Sequence, residues 1–135
     1  MWNGRMVWVC SLLLSFLSMA FAQENALRIK VPVQDERVPE RPFVEGTVSD
    51  VGATVWVIVH PMEVSDYWVQ PAVSVMESST WKVKIYVGRP GAQDKGQHFE
   101  IRAVANPKVR LREGQVLDAW PEAQSESQVV EVVRQ

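Results

Sequence analysis

At 135 residues, 47% of them apolar, the chain is long enough for one hydrophobic core. Its 14 Lys and Arg against 16 Asp and Glu are interspersed, with no same-sign block beyond the small cluster Lys108, Arg110 and Arg112. That balance argues against nucleic-acid binding as a main role.

Residues 1–22 read as an export signal. Arg5 lies in a short leading region, an apolar stretch runs from Val7 to Leu17, and Ala20-Phe21-Ala22 supplies a small-x-small cleavage site. The apolar run is shorter than the roughly 20 residues that span a bilayer, which favours cleavage before Gln23 over a membrane anchor. Cys10 falls inside this segment, and Val9 before it does not fit a lipoprotein acceptor. Removal of the first 22 residues leaves 113, with 13 Lys and Arg, 16 Asp and Glu, a formal charge of −3 and no thiol. Such a product forms no disulfide, no thiolate metal site and no cysteine nucleophile. It is expected to be a secreted or periplasmic domain spanning residues 23–135, with no membrane contact beyond the signal.

The strands follow in order. Leu27 to Val31 alternates apolar with basic residues, a period of two that predicts a half-buried strand ending at Pro32. Residues 34–42 are polar and hold Pro39 and Pro42, so a loop is expected. Phe43 to Val48 forms the next strand. Ser49 to Ala53 turns the chain, with Asp50 bonding forward and Gly52 free to take positive φ. Thr54 to Val59 is β-branched and predicts a third strand, closed by His60-Pro61. Tyr67 to Gln70 and Ala72 to Met76 are short extended pieces either side of Pro71. Trp81, Val83, Ile85 and Val87 alternate with polar residues in the clearest amphipathic strand of the chain. After a Gly/Pro-rich loop from Gly88 to Gly96, expected as a long hairpin connection, Gln97 to Ala105 places Phe99, Ile101, Ala103 and Ala105 on one side. Residues 108–127 are long and irregular, a length that implies packing or function. Gln128 to Arg134 closes as a Val-rich strand.

Seven or eight short strands with regular turns and no helix outside the signal predict an all-β, antiparallel sandwich of immunoglobulin-like type. The run from Pro42 to Asp50 leading into Gly52-Ala53-Thr54-Val55-Trp56-Val57 resembles the opening of bacterial Ig-like domains. Trp81-Lys82-Val83-Lys84-Ile85 is similar to their central strand, and Phe99 to Ala105 to their penultimate one. The resemblance covers Leu27 to Val133. It implies a spacer, adhesin segment or binding domain of an exported protein, while the long stretches at Pro61 to Pro71 and Val109 to Ser127 argue against a pure spacer.

Two surfaces are candidates for function. If Val55, Val57 and Val59 face the core, then Trp56, Ile58 and His60 face outward, beside Arg102 and Val104 of the neighbouring strand. So apolar a face is expected either to bind a protein partner or to be covered by the chain's own Tyr67-Trp68 or Trp120 segments. The second candidate is a glycan platform of Tyr67, Trp68 and Trp120, whose flat rings could stack on sugars; packing of the same rings onto the sandwich is the alternative. His60 and His98, with Glu63 or Asp66, fall short of the ligand count and spacing of a zinc site. No G-x-S-x-G elbow or comparable context joins Ser, His and Asp. The glycine loop lacks the following helix that a phosphate site needs. The chain is therefore expected to be a non-enzymatic binding module without a cofactor or metal, contacting a protein or, alternatively, a carbohydrate; a purely structural exported domain is the third reading.

Overall fold

Strands whose side chains alternate between apolar and polar need a second layer to bury the apolar row. A computed structural model describes residues 26–135, and the expected signal lies outside them. In chain order the strands are β1 (Leu27–Val31), β2 (Glu36–Val38), β3 (Phe43–Val48), β4 (Val55–Pro61), β5 (Tyr67–Val69), β6 (Ser74–Val75), β7 (Thr80–Lys84), β8 (His98–Pro107), β9 (Val116–Leu117), β10 (Ala123–Glu126) and β11 (Val130–Arg134). The described residues contain no helix.

One sheet has the order β1-β3-β7-β6 and the other β2-β11-β8-β4-β5-β9, with β10 also paired to β8. Leu27, Ile29, Val44, Trp81 and Val83 of the first sheet meet Val55, Val57, Val59, Phe99, Ile101 and Val132 of the second in one core. Trp81 lies over Gly46, and its Nε1–H donates to the Thr47 carbonyl at 3.1 Å. The alternation therefore identifies the inward residues of β4, β7 and β8 correctly.

Several expectations are corrected. Eleven strands replace seven or eight, because β2, β9 and β10 form in polar stretches expected as loops. β2 buries only Val38 and pairs in parallel with β11, so the second sheet is not purely antiparallel. The pieces flanking Pro71 belong to different sheets: β5 borders β4, whereas β6 borders β7. Gly88 to Gly96 is no hairpin, since β7 and β8 lie in different sheets. β4 runs through Pro61 because the alternate backbone groups of Val57 and Val59 face β5, which pairs no further than Val59. The missing N–H of Pro61 thus costs no ladder bond, and the Met62 N–H still reaches the His98 carbonyl at 3.1 Å. In the β3–β4 turn, Asp50 Oδ1 accepts the Gly52 N–H at 2.9 Å, and Gly52 takes no positive φ.

β8 changes partner along its length, from β11 opposite His98 to Ile101 to β10 opposite Val104 to Pro107. Buried Ser127 bridges the change. Its Oγ accepts the Ala103 N–H at 2.8 Å, and its own N–H donates to the Ala103 carbonyl at 2.9 Å. Next to it, the Gln128 side-chain amide brackets both backbone groups of Ile29, at 3.1 and 2.6 Å, and ties the edge of β1 to the second sheet.

A methyl group on Gly46 would overlap the Arg28 carbonyl and the Trp81 ring. Gly46→Ala is therefore expected to lower the unfolding free energy by about 1–3 kcal/mol, read as a shift in the denaturant midpoint. An unchanged midpoint would show that β1 and Trp81 are not packed this closely.

Candidate functional site

The sheet register gathers the first candidate surface as the alternation predicts. Trp56 lies opposite Val104, Ile58 opposite Arg102, and His60 opposite Glu100. That face is nevertheless covered from within. Leaving β8, the chain passes β4 and β5 to reach β9 beyond them, then returns to β10 on the far side of β8. Leu111 on the way out and Trp120 on the way back pack with Ile58, Val69, Val104, Trp56 and Tyr67 into a second apolar cluster. Ile58 and Val104 are both 0% exposed, so no partner touches them in this arrangement. Trp56, His60 and Arg102 remain half-buried at its margins.

His60 is held on every side. Tyr67 stacks on its ring at 4.0 Å and 5°, and Trp120 approaches edge-on at 6.0 Å. Its Nδ1 lies 2.8 Å from Glu100 Oε1 and its Nε2 2.7 Å from the Val64 carbonyl. Both ring nitrogens are engaged, and neither is free to ligate a metal. His98 pairs separately with Glu131 at 2.9 Å. Among the described residues, no group of three or more His, Cys, Asp and Glu side chains gathers in a metal-binding arrangement. The Arg102 guanidinium lies 5.4 Å from the Trp120 ring, and its Nε–H donates to the Ser127 carbonyl at 3.1 Å.

The three rings of the second candidate do not share a surface. Tyr67 and Trp120 meet edge-to-face at 4.8 Å inside the covering cluster. Trp68 stands opposite Val59, a core-facing residue, and so points to the other side of the sheet from Tyr67. There it borders a groove of about 630 Å³ between the ends of the two sheets. Val59, Pro61 and Phe99 form one wall, and Tyr86 and Pro90, from the segment after β7, form the other. Trp68 is 41% exposed and Tyr86 46% exposed, both unusually open for aromatic residues at an apolar cleft. Glu63, Asp66 and Glu113 also line the groove. Among the described residues, none of these three carboxylates has a cation within ion-pair distance.

Buried polar groups fix the groove walls. Gln70, 4% exposed, sits where the chain leaves the second sheet for the first. Its backbone N–H donates to the Val57 carbonyl at 3.0 Å, and its Oε1 accepts the Tyr86 N–H at 2.8 Å. Arg134, buried at the end of β11, donates to the carbonyls of Val87, Arg89 and Gly91 at 2.7–2.9 Å. Asp94 closes the glycine loop by accepting the Arg89 backbone N–H at 2.6 Å and the guanidinium at 2.9 Å. Gly88 makes room for it, because with φ 78° a Cβ there would lie 2.8 Å from Asp94 Oδ2. Sequence reasoning missed Tyr86, Asp94 and Arg134. The available signal was the glycine spacing, which marks a loop shaped around something buried.

No protein family, curated protein or solved structure matches the chain, so the site is read from its own chemistry.

The Arg89 guanidinium and backbone N–H hold the Asp94 carboxyl below its ordinary value of 3.8. A carboxylate shifted in that direction stabilises the fold fully above its unfolded value, and the contribution is lost as pH falls through the lower folded value. Asp94→Asn is expected to lower the melting temperature at neutral pH, with the difference from wild type shrinking steadily below about pH 4. A difference independent of pH would contradict the charge-based role.

Proposed function

We propose that the chain is an exported, non-enzymatic interaction module of immunoglobulin-like type that holds a protein partner in the Trp68–Tyr86 groove. The observation that carries the reading is an open apolar cleft with two accessible aromatic rings, braced by buried Gln70, Asp94 and Arg134. A seat held rigid before binding loses less conformational entropy on association. The unpaired carboxylates Glu63, Asp66 and Glu113 favour a segment that presents an apolar side chain beside basic ones.

Strand order supports the fold-family part of the proposal. With β1, β3, β4, β6, β7, β8 and β11 taken as seven principal strands, the first sheet follows the order first, second, fifth, fourth. The third, sixth and seventh lie in the other sheet, as in immunoglobulin-like sandwiches. Export is supported by Arg5, the apolar run and Ala20-Phe21-Ala22.

Affinity capture from the exported fraction with the wild-type chain, followed by titration of the recovered partner, tests the proposal. Trp68→Ala is expected to weaken that partner about tenfold or more, as at an aromatic hot spot, while leaving the unfolding midpoint nearly unchanged. Equal affinity for wild type and Trp68→Ala would exclude the groove.

A further inference from the structure

The outer face of the four-stranded sheet carries more cations than carboxylates. Alternation turns Arg28 of β1, Phe43 and Glu45 of β3, and Lys82 and Lys84 of β7 away from the core, and Lys30 is exposed at the bulge of β1. Register sets Lys84 directly opposite Phe43, Lys82 opposite Glu45, and Arg28 opposite Thr47. Tyr86 and Arg41 extend the face past the strand ends, with the guanidinium 3.6 Å from the ring centroid. Five cations thus share a face with one carboxylate, in a chain whose formal charge is −2.

Lys82 pairs with Glu45 at 3.4 Å, and Arg41 donates from Nε to the Ile85 carbonyl at 3.1 Å. Among the described residues, Arg28, Lys30, Arg41 and Lys84 have no carboxylate within ion-pair distance. Apart from Arg41, these cations stand on β1 and β7, on either side of β3, which contributes only Glu45 as a counter-charge. An apolar centre lies among them. Phe43 is 49% exposed, with the ammonium groups of Lys82 and Lys84 at 4.2 and 5.7 Å from its ring centroid.

We propose that this face binds a linear acidic polysaccharide, with sugar carboxylates paired to Arg28, Lys82 and Lys84 and a sugar ring against Phe43. The site is separate from the Trp68 groove and stands on different residues. Charge complementarity selects a polyanion, and rows of side chains about 4.8 Å apart across the strands suit a chain of repeating anionic units. A lipid surface is disfavoured because interfacial binding grows with buried apolar area, and this face offers two isolated rings. Single-stranded nucleic acid binds by stacking bases on free aromatic faces. Here Arg41 already sits over the Tyr86 ring, which leaves Phe43 as a single stacking position.

The test is titration of the exported chain with polygalacturonate at low and high salt. Neutral dextran, anionic phosphatidylglycerol vesicles and single-stranded DNA serve as comparisons. Binding to polygalacturonate that weakens at least tenfold in high salt is expected, with no binding to dextran. The exposed double substitution Lys82→Gln and Lys84→Gln is expected to reduce affinity about tenfold, and Phe43→Ala several-fold. Both variants should keep the wild-type melting curve, and Trp68→Ala should bind polygalacturonate as wild type does. No binding at low salt, unchanged affinity in either face variant, or tighter binding to vesicles or DNA would each overturn the proposal.

Discussion

The sheet built around β4 and β8 is apolar on both faces, and each face needs a cover. Val55, Val57 and Val59 are buried on the inner side, while Ile58 and Val104 are buried on the outer side. The four-stranded sheet covers the first. The second is covered by the excursion from β8 to β9 and back to β10, which brings Leu111 and Trp120 over Ile58. Burying an aliphatic side chain of this size stabilises by roughly 1.5–3 kcal/mol relative to exposure. The long irregular stretch is thus a second layer of the domain.

Double coverage redistributes the surface available to partners. It encloses the β4–β8 face and pulls Tyr67 and Trp120 into contact with His60. Trp68, one residue along from Tyr67, is turned to the opposite side and left at the mouth of the groove. The four-stranded sheet, with its core side already satisfied, keeps a polar outer face on which cations collect. The accessible features are therefore the acidic-rimmed groove and the basic face, with Tyr86 at the corner between them.

Local pattern was enough to locate β1, β3, β4, β7, β8 and β11, and period-two alternation chose the inward residues of β4, β7 and β8. It could not pair them. β2 and β10 are short and largely polar and β9 is only two residues long, and they form because a neighbouring strand offers unpaired backbone groups, a condition no local pattern encodes. The cover over Ile58 was foreseen as one of two outcomes, since an apolar outer row needs either a partner or the chain itself. The groove was not foreseen, because Trp68, Tyr86 and Phe99 come together only after the chain crosses between sheets at Gln70. The basic face was hidden for a similar reason. Arg28-Ile29-Lys30 and Lys82-Val83-Lys84 look like interspersed charge until register stacks them.

Hydroxyl-radical footprinting of the tryptophans tests the central claim of a covered outer face most directly, because Trp56, Trp68, Trp81 and Trp120 occupy distinct environments. The account predicts rapid oxidation at Trp68, slower reaction at half-buried Trp56 and Trp120, and protection of Trp81. Oxidation of Trp56 and Trp120 as fast as Trp68 would contradict it, because the β4–β8 face would then be open to solvent.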